Sequence, residues 1–199
     1  MKNILAYIIM MLSTVAYSQT TESNAFQDSY QNEYNLDYTK AISSITDVYK
    51  ADSYVINLRL GWLYYMNGSF IKSKAYYQKA IGLEPSSIEA RLGLANPLAA
   101  LQNWEEIITV YKRILEISPK HVVTNYRLAY IFYEKKKFEK ANSYALIGTK
   151  IQPFDFDNNL LIGKINISLG NITAAKKYLN NALLYNPSST EVQGLLKVL

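Results

Sequence analysis

Not one of the 199 residues is a cysteine. This excludes a disulfide framework, a thiolate metal centre and the cysteine-linked lipid anchor of bacterial lipoproteins. Histidine is nearly as scarce: His121 stands alone, without the Cys or second His from which transition-metal sites are usually built. No glycine-rich phosphate loop, nucleophile elbow or histidine–carboxylate spacing occurs. The sequence therefore offers no catalytic residue set, and neither a metal nor a cofactor is expected. Charged residues reach only 19% against 49% hydrophobic, the balance of a folded soluble protein rather than a disordered or multi-span membrane chain. What is abundant is tyrosine, with 18 copies, and rings in that number are expected chiefly between packed helices.

The first residues form a separate segment. Lys2 supplies a positive start, Ile4 to Val15 an apolar run, and Ala16-Tyr17-Ser18 small residues before Gln19, the three parts of a secretory signal. The run is shorter than the roughly 20 apolar residues that span a bilayer, and no stop-transfer pattern follows. Cleavage of 1–18 is expected over an uncleaved anchor, with export by the Sec route to the periplasm or the outside. Without Lys2 the chain keeps 20 basic residues against 16 acidic, a mild bias toward acidic partners.

Proline punctuates the rest. Pro85, Pro119, Pro153 and Pro187 are 34 residues apart, and only Pro97 lies outside the series. At the same step fall Leu60-Gly61, Leu94-Ala95, Leu128-Ala129 and Ile162-Gly163, a large apolar residue followed by a small one. Tyr64, Leu98, Phe132 and Asn166 come three residues later, and Phe70, Trp104, Phe138 and Ile172 open a second apolar-periodic run in each unit.

This pattern resembles the tetratricopeptide repeat, a 34-residue helix-turn-helix unit. The resemblance covers Tyr54 to Pro187 and implies an all-α, right-handed α-solenoid. Its parts are a signal peptide (1–18), a divergent N-terminal helical repeat (19–52), four repeats within 53–187 (54–87, 88–121, 122–155 and 156–187) and a C-terminal capping helix (188–199). Helices are expected at Tyr54 to Asn67, Phe70 to Gly82, Ile88 to Ala100, Trp104 to Ile117, His121 to Lys135, Phe138 to Lys150, Asn158 to Leu169 and Ile172 to Leu184. Each proline ends a second helix because it lacks an N–H and disfavours helical geometry before it. Ser86, Ser87, Ser188 and Ser189 then offer capping oxygens.

Small residues mark where helices touch: Ser73, Ala141 and Ala175, then Ala80, Gly148 and Ala182. The second unit carries Ile107 and Ile114 instead, and Pro97 within its first helix. A kink and wider helix spacing are expected there, from tolerated drift or from a partner-shaped bend. Upstream, Leu36 to Lys50 reads as the second helix of the divergent unit, with Ala41, Ile45 and Val48 facing in, and Asn24 to Tyr34 as a weak first helix. Gln19 to Glu22 is expected to be disordered. Val192, Leu195, Leu196 and Leu199 give the capping helix one apolar side.

The remaining polar features have structural explanations. Glu105-Glu106 and Asp155 with Asp157 stand at helix starts, where the dipole favours them. Lys135-Lys136-Lys137 with Lys140 is interleaved with Glu134 and Glu139 and lacks the continuous stripe a nucleic-acid site needs. Three sequons begin at Asn67, Asn166 and Asn171, and two of them read better as turns.

The resemblance also implies that first helices line a concave groove. Its positions fall on Leu58, Trp62, Tyr65 and Met66 in the first unit, Leu92 and Asn96 in the second, Tyr126, Tyr130 and Tyr133 in the third, and Leu160 and Lys164 in the fourth. Such a groove is aromatic, and Trp and Tyr are favoured anchors of protein interfaces. The terminal helices could instead fold over part of it. The carboxylate clamp of some relatives is not expected, because Leu58 and Trp62 stand where its Lys and Asn would fall, and Asn96 and Arg127 do not restore it. The function expected is an exported, non-enzymatic interaction module holding a partner protein or peptide, as a subunit or assembly factor of an envelope complex. A binder of glycan or another non-protein ligand on the same groove is the alternative.

Overall fold

The computed structural model describes residues 21–199, and the signal segment lies outside them. All regular structure among the described residues is helical. α1 takes in residues 21–34. It is followed by α2 (Tyr38–Thr46), α3 (Tyr54–Met66), α4 (Phe70–Leu83), α5 (Ile88–Ala100), α6 (Trp104–Ile117), α7 (Val122–Glu134), α8 (Phe138–Ile151), α9 (Phe156–Ser168), α10 (Ile172–Tyr185) and α11 (Thr190–Lys197). Thr21 and Glu22 are helical, contrary to the disorder expected for that stretch. The chain forms two compact units that divide within α6, after Val110.

The 34-residue period is written into the caps. Ser53, Ser87, His121, Asp155 and Ser189 each precede a first helix, and each side chain accepts the backbone N–H three residues on. His121 is thereby a cap rather than the first helical residue: its Nδ1 accepts from Thr124 N at 3.2 Å. Asp155 likewise starts α9 at Phe156, two residues earlier than the sequence suggests. The opposite turns repeat as well. Leu36, Gly68, Gln102, Lys136 and Gly170 have φ between 55° and 75°, the left-handed residue that ends a helix in a Schellman motif. The N–H after each returns to the carbonyl five residues before it, as in Ser69 N to Tyr64 O (2.8 Å) and Lys137 N to Phe132 O (2.8 Å).

A third periodic device was not foreseen. At positions 57, 91, 125, 159 and 193 stand Asn, Arg, Asn, Asn and Gln. The Asn159 amide donates to Pro153 O and Asp155 O, both at 2.8 Å. Asn125 donates to Pro119 O and His121 O, and Asn57 to Ala51 O and Ser53 O. Gln193 reaches Pro187 O, and Arg91 reaches Ser87 O. Ala51 O, Pro119 O, Pro153 O and Pro187 O lie in the inter-repeat turns and gain a donor from this series, whereas Ser53 O, His121 O and Asp155 O also accept the first N–H of the helix they start.

In the first unit, Ala41, Ile45, Ile56, Leu60 and Leu63 form a buried cluster flanked by Phe26, Tyr38, Trp62, Tyr64 and Tyr76. Gly61 lets the Tyr77 ring close in: a Cβ there would lie 2.9 Å from it. Pro97 is buried within α5, which continues through it, and Ile107 and Ile114 are buried as well. In the second unit, Leu160, Leu179, Ala182 and Val192 form the cluster beneath α11, with Leu195, Leu196 and Leu199 packed on it. This is the apolar side expected of the capping helix.

Candidate partner-binding faces

In the first unit, α3 carries Leu58, Trp62, Tyr65 and Met66 at spacings of four, three and one, which place them on one side of the helix. Leu60, Gly61 and Leu63 are buried on the other side. The Trp62 and Tyr65 rings are 6.0 Å apart, and Tyr65 lies 5.9 Å from Phe70. Met66 is exposed, while Leu58, Tyr65, Leu92 and Asn96 are half-buried.

Trp62 differs from this expectation. Its indole N–H donates to Glu33 Oε1 of α1 at 2.5 Å, and it packs beside the core cluster. Glu33 Oε2 pairs with Arg59 at 2.5 Å. The Arg59 guanidinium donates through Nε and Nη2 to Ser29 Oγ at 3.2 and 3.0 Å, and lies 3.9 Å above the Tyr30 ring. Arg59 is only 7% exposed, so removing Glu33 would strand a buried charge, which is strongly destabilising. α1 thus covers part of this face and holds Trp62 in place.

In the second unit, Tyr126, Tyr130 and Tyr133 lie four and three residues apart on α7. Tyr130 is 49% exposed, Tyr126 and Tyr133 are half-buried, and Tyr133 lies 5.8 Å from Phe138. Burial first, then the negative charge of Asp157, the neighbouring Tyr130 and Asp155, raise the Tyr126 phenol above its ordinary value. α9 packs against α7, and residue 160 is the repeat equivalent of 126. Leu160 is nevertheless only 9% exposed, within the cluster that includes Val192. It is a core residue under the capping helix and not part of an open groove. Lys164 is tied to Glu191 of α11 in an ion pair.

Other singled-out residues have structural duties. Arg127 donates to the Tyr111 hydroxyl at 3.1 Å. Asn67 and Asn171 stand at helix ends, whereas Asn166 is buried and donates to Ile162 O. Among the described residues, no group of three or more His, Asp and Glu gathers as a metal centre, and no helix is long and apolar enough to cross a membrane.

Comparison with known proteins agrees with this architecture. The tetratricopeptide repeat family model matches residues 54–87 and 156–189, in the register set by the prolines. The anaphase-promoting complex subunit CDC16 of Saccharomyces cerevisiae is 25% identical over 161 residues, 76% of this chain. The chain spans only 19% of the length of that relative. A crystal structure of MamA superposes with a TM-score of 0.72 at 20% identity, covering 86% of this chain and 94% of that one. A tetratricopeptide repeat protein from Parabacteroides merdae gives 0.77 at 14% identity, covering 89% and 71%. At these identities the structural likenesses establish the fold, an all-α tetratricopeptide solenoid. From the 34-residue register, the two matched segments and the shared architecture, the chain carries tetratricopeptide repeats in an all-α solenoid.

Proposed function

We propose that this protein is a non-enzymatic interaction scaffold that holds a segment of a partner protein on the first-helix faces of its repeats. The observation that carries this reading is the α7 face, where Tyr130 is half exposed beside Tyr126 and Tyr133 although the helix has a complete core on its other side. Large rings left at a helix surface serve as interface anchors, because they bury much area at small conformational cost. Met66, Tyr65 and Leu58 on α3 offer a second, separate face of the same kind.

Export is part of the proposal and rests on the charge and apolar pattern of Met1 to Ser18. A role within an envelope complex is the part of the proposal that depends on export. N-terminal sequencing of protein recovered from fractionated cells should start near Gln19 in the periplasmic or extracellular fraction. A cytoplasmic protein retaining Lys2 would refute export.

Affinity capture from envelope extract tests the binding role by comparing the wild type with Tyr126→Ala, Tyr130→Ala. Trp62 is left intact because it braces α1. A protein retained by the wild type and lost from the folded double variant supports the reading. An identical profile would defeat it. A protein released by oligosaccharide, rather than by competing peptide, would favour a glycan ligand on the same face.

A further inference from the structure

The charges of the second unit are segregated. Residues 111–199 contain 13 Lys and Arg against 6 Asp and Glu, yet the face that carries the tyrosines departs from this excess. Lys112, Lys136, Lys137, Lys140, Lys176 and Lys177 belong to second helices and intra-repeat turns. On the first helices, Glu134 stands at the repeat position of Met66, and Asp157 and Glu191 stand in the first turns of α9 and α11, while Lys164 is the cation at the groove position of α9.

That cation is neutralised by Glu191. Asp155 is engaged in capping, where its Oδ1 accepts from Asn158 N at 2.8 Å and Asn158 Nδ2 at 2.9 Å. Asp157 has no such duty: it is exposed in the first turn of α9, and no ion pair holds it among the described residues. Residue 157 lies one helical turn before Leu160, the repeat equivalent of Tyr126, on a helix that packs against α7. In line with this placement, burial first and then the Asp157 charge hold the Tyr126 phenol above its ordinary value.

Two tyrosine rings and a free carboxylate on one face form a complementary setting for a cationic side chain. The rings attract it through their quadrupole and the carboxylate pairs with it. An anionic or purely apolar segment gains neither contribution. We infer that the Tyr126, Tyr130 and Asp157 face receives an arginine or lysine side chain from an extended segment of the partner protein. The inference rests on the partner-binding reading above and adds the chemistry of the residue that is read. It also places a locally acidic aromatic seat on an otherwise basic unit, so a partner rich in positive charge throughout would be repelled and a single basic residue among apolar ones accepted.

The test is an NMR titration of the full mature chain labelled in its tyrosine rings, with N-acetyl-arginine amide as the probe. N-acetyl-norleucine amide and N-acetyl-glutamate amide serve as apolar and anionic controls. The arginine probe should shift the Tyr126 and Tyr130 signals saturably, and the glutamate probe should not. Asp157→Asn should weaken the arginine response roughly two- to fivefold, the scale of an exposed ion pair, and Asp157→Glu should restore it. Asp157 is exposed, so the variant should fold as the wild type does, which circular dichroism verifies. Equal responses to arginine and norleucine, unchanged in Asp157→Asn, would overturn the cation inference while leaving the tyrosine face as a binding surface. No tyrosine response to arginine at tens of millimolar would also overturn it, whatever the capture experiment shows for the face itself.

Discussion

Alanine in place of Gly163 should destabilise the protein, whereas the same substitution at Gly82 should not, and the opposed signs follow from what each glycine faces. A Cβ built on Gly163 would lie 2.7 Å from Leu179 Cδ2 and 2.8 Å from its Cγ. Leu179 is fully buried between Leu160, Ala182 and Val192, so it cannot yield without moving the side chains beneath α11. Overpacking of this kind costs about 1–3 kcal/mol. Replacing a helical glycine returns about 0.5–1 kcal/mol of backbone entropy. The net expectation for Gly163→Ala is a loss of about 0.5–2 kcal/mol. Gly82 is exposed near the end of α4, and a Cβ there meets nothing within 4 Å. Only the entropy remains, reduced by the end position, for a gain of about 0.5 kcal/mol. Urea unfolding followed by circular dichroism at 222 nm reads both changes as midpoint shifts. Two variants moving in the same direction, or a Gly163→Ala midpoint at or above that of the wild type, would refute the packing argument.

Three further outcomes follow from the periodic devices and from burial. Asn159→Ala should cost about 1–3 kcal/mol by removing the amide donor of Pro153 O, while Asp155 O keeps the residue 159 backbone N–H, and Asn159→Asp should cost more because it sets oxygen against oxygen; the urea midpoint orders the three proteins. His121→Ala should lose about 1 kcal/mol of capping, while His121→Ser should keep it, and a thermal melt separates the two. Burial, with smaller contributions from Glu89 and Tyr65, raises the Tyr77 phenol above its ordinary value. The unfolded chain then gives up this proton before the folded one does, so stability should hold below about pH 10 and decline as pH rises beyond it. Tyr77→Phe should flatten that decline in a series of urea titrations between neutral pH and pH 11.

Much of the fold was legible because several devices repeat in one register. The prolines fixed the period, and the large-small pairs then placed the helix contacts. Most helix ends follow within a residue or two, and Ser87 and Ser189 cap as their chemistry suggests. The amide series at 57, 125, 159 and 193 escaped notice because Arg91 interrupts it and a polar residue in a first turn reads as solvated. Its partners are carbonyls of a turn, which no side-chain pattern advertises.

The candidate site was legible only in part, and Tyr126 against Leu160 shows why. Both occupy the same repeat position, but Leu160 lies in the core cluster beneath α11. A register identifies equivalent positions and says nothing of which neighbour covers them. Trp62 teaches the same lesson at the other end. Its partner Glu33 is 29 residues away in the divergent unit, and only the folded chain brings the two together. Pro97 lies inside α5 as the sequence places it, within a helix that runs from Ile88 to Ala100 with the ring buried, although a proline there removes one backbone hydrogen bond.

Whether the α7 tyrosine face holds the partner is decided by site-specific photo-crosslinking in cells, with a benzophenone amino acid placed at Tyr130 in one strain and at Lys177, on a second helix, in another. Position 130 should yield a discrete crosslinked partner protein and position 177 none, and the adduct should be lost when Tyr126→Ala is added. A partner captured from 177 and not from 130 would contradict that assignment, and would move binding to the opposite side of the repeats.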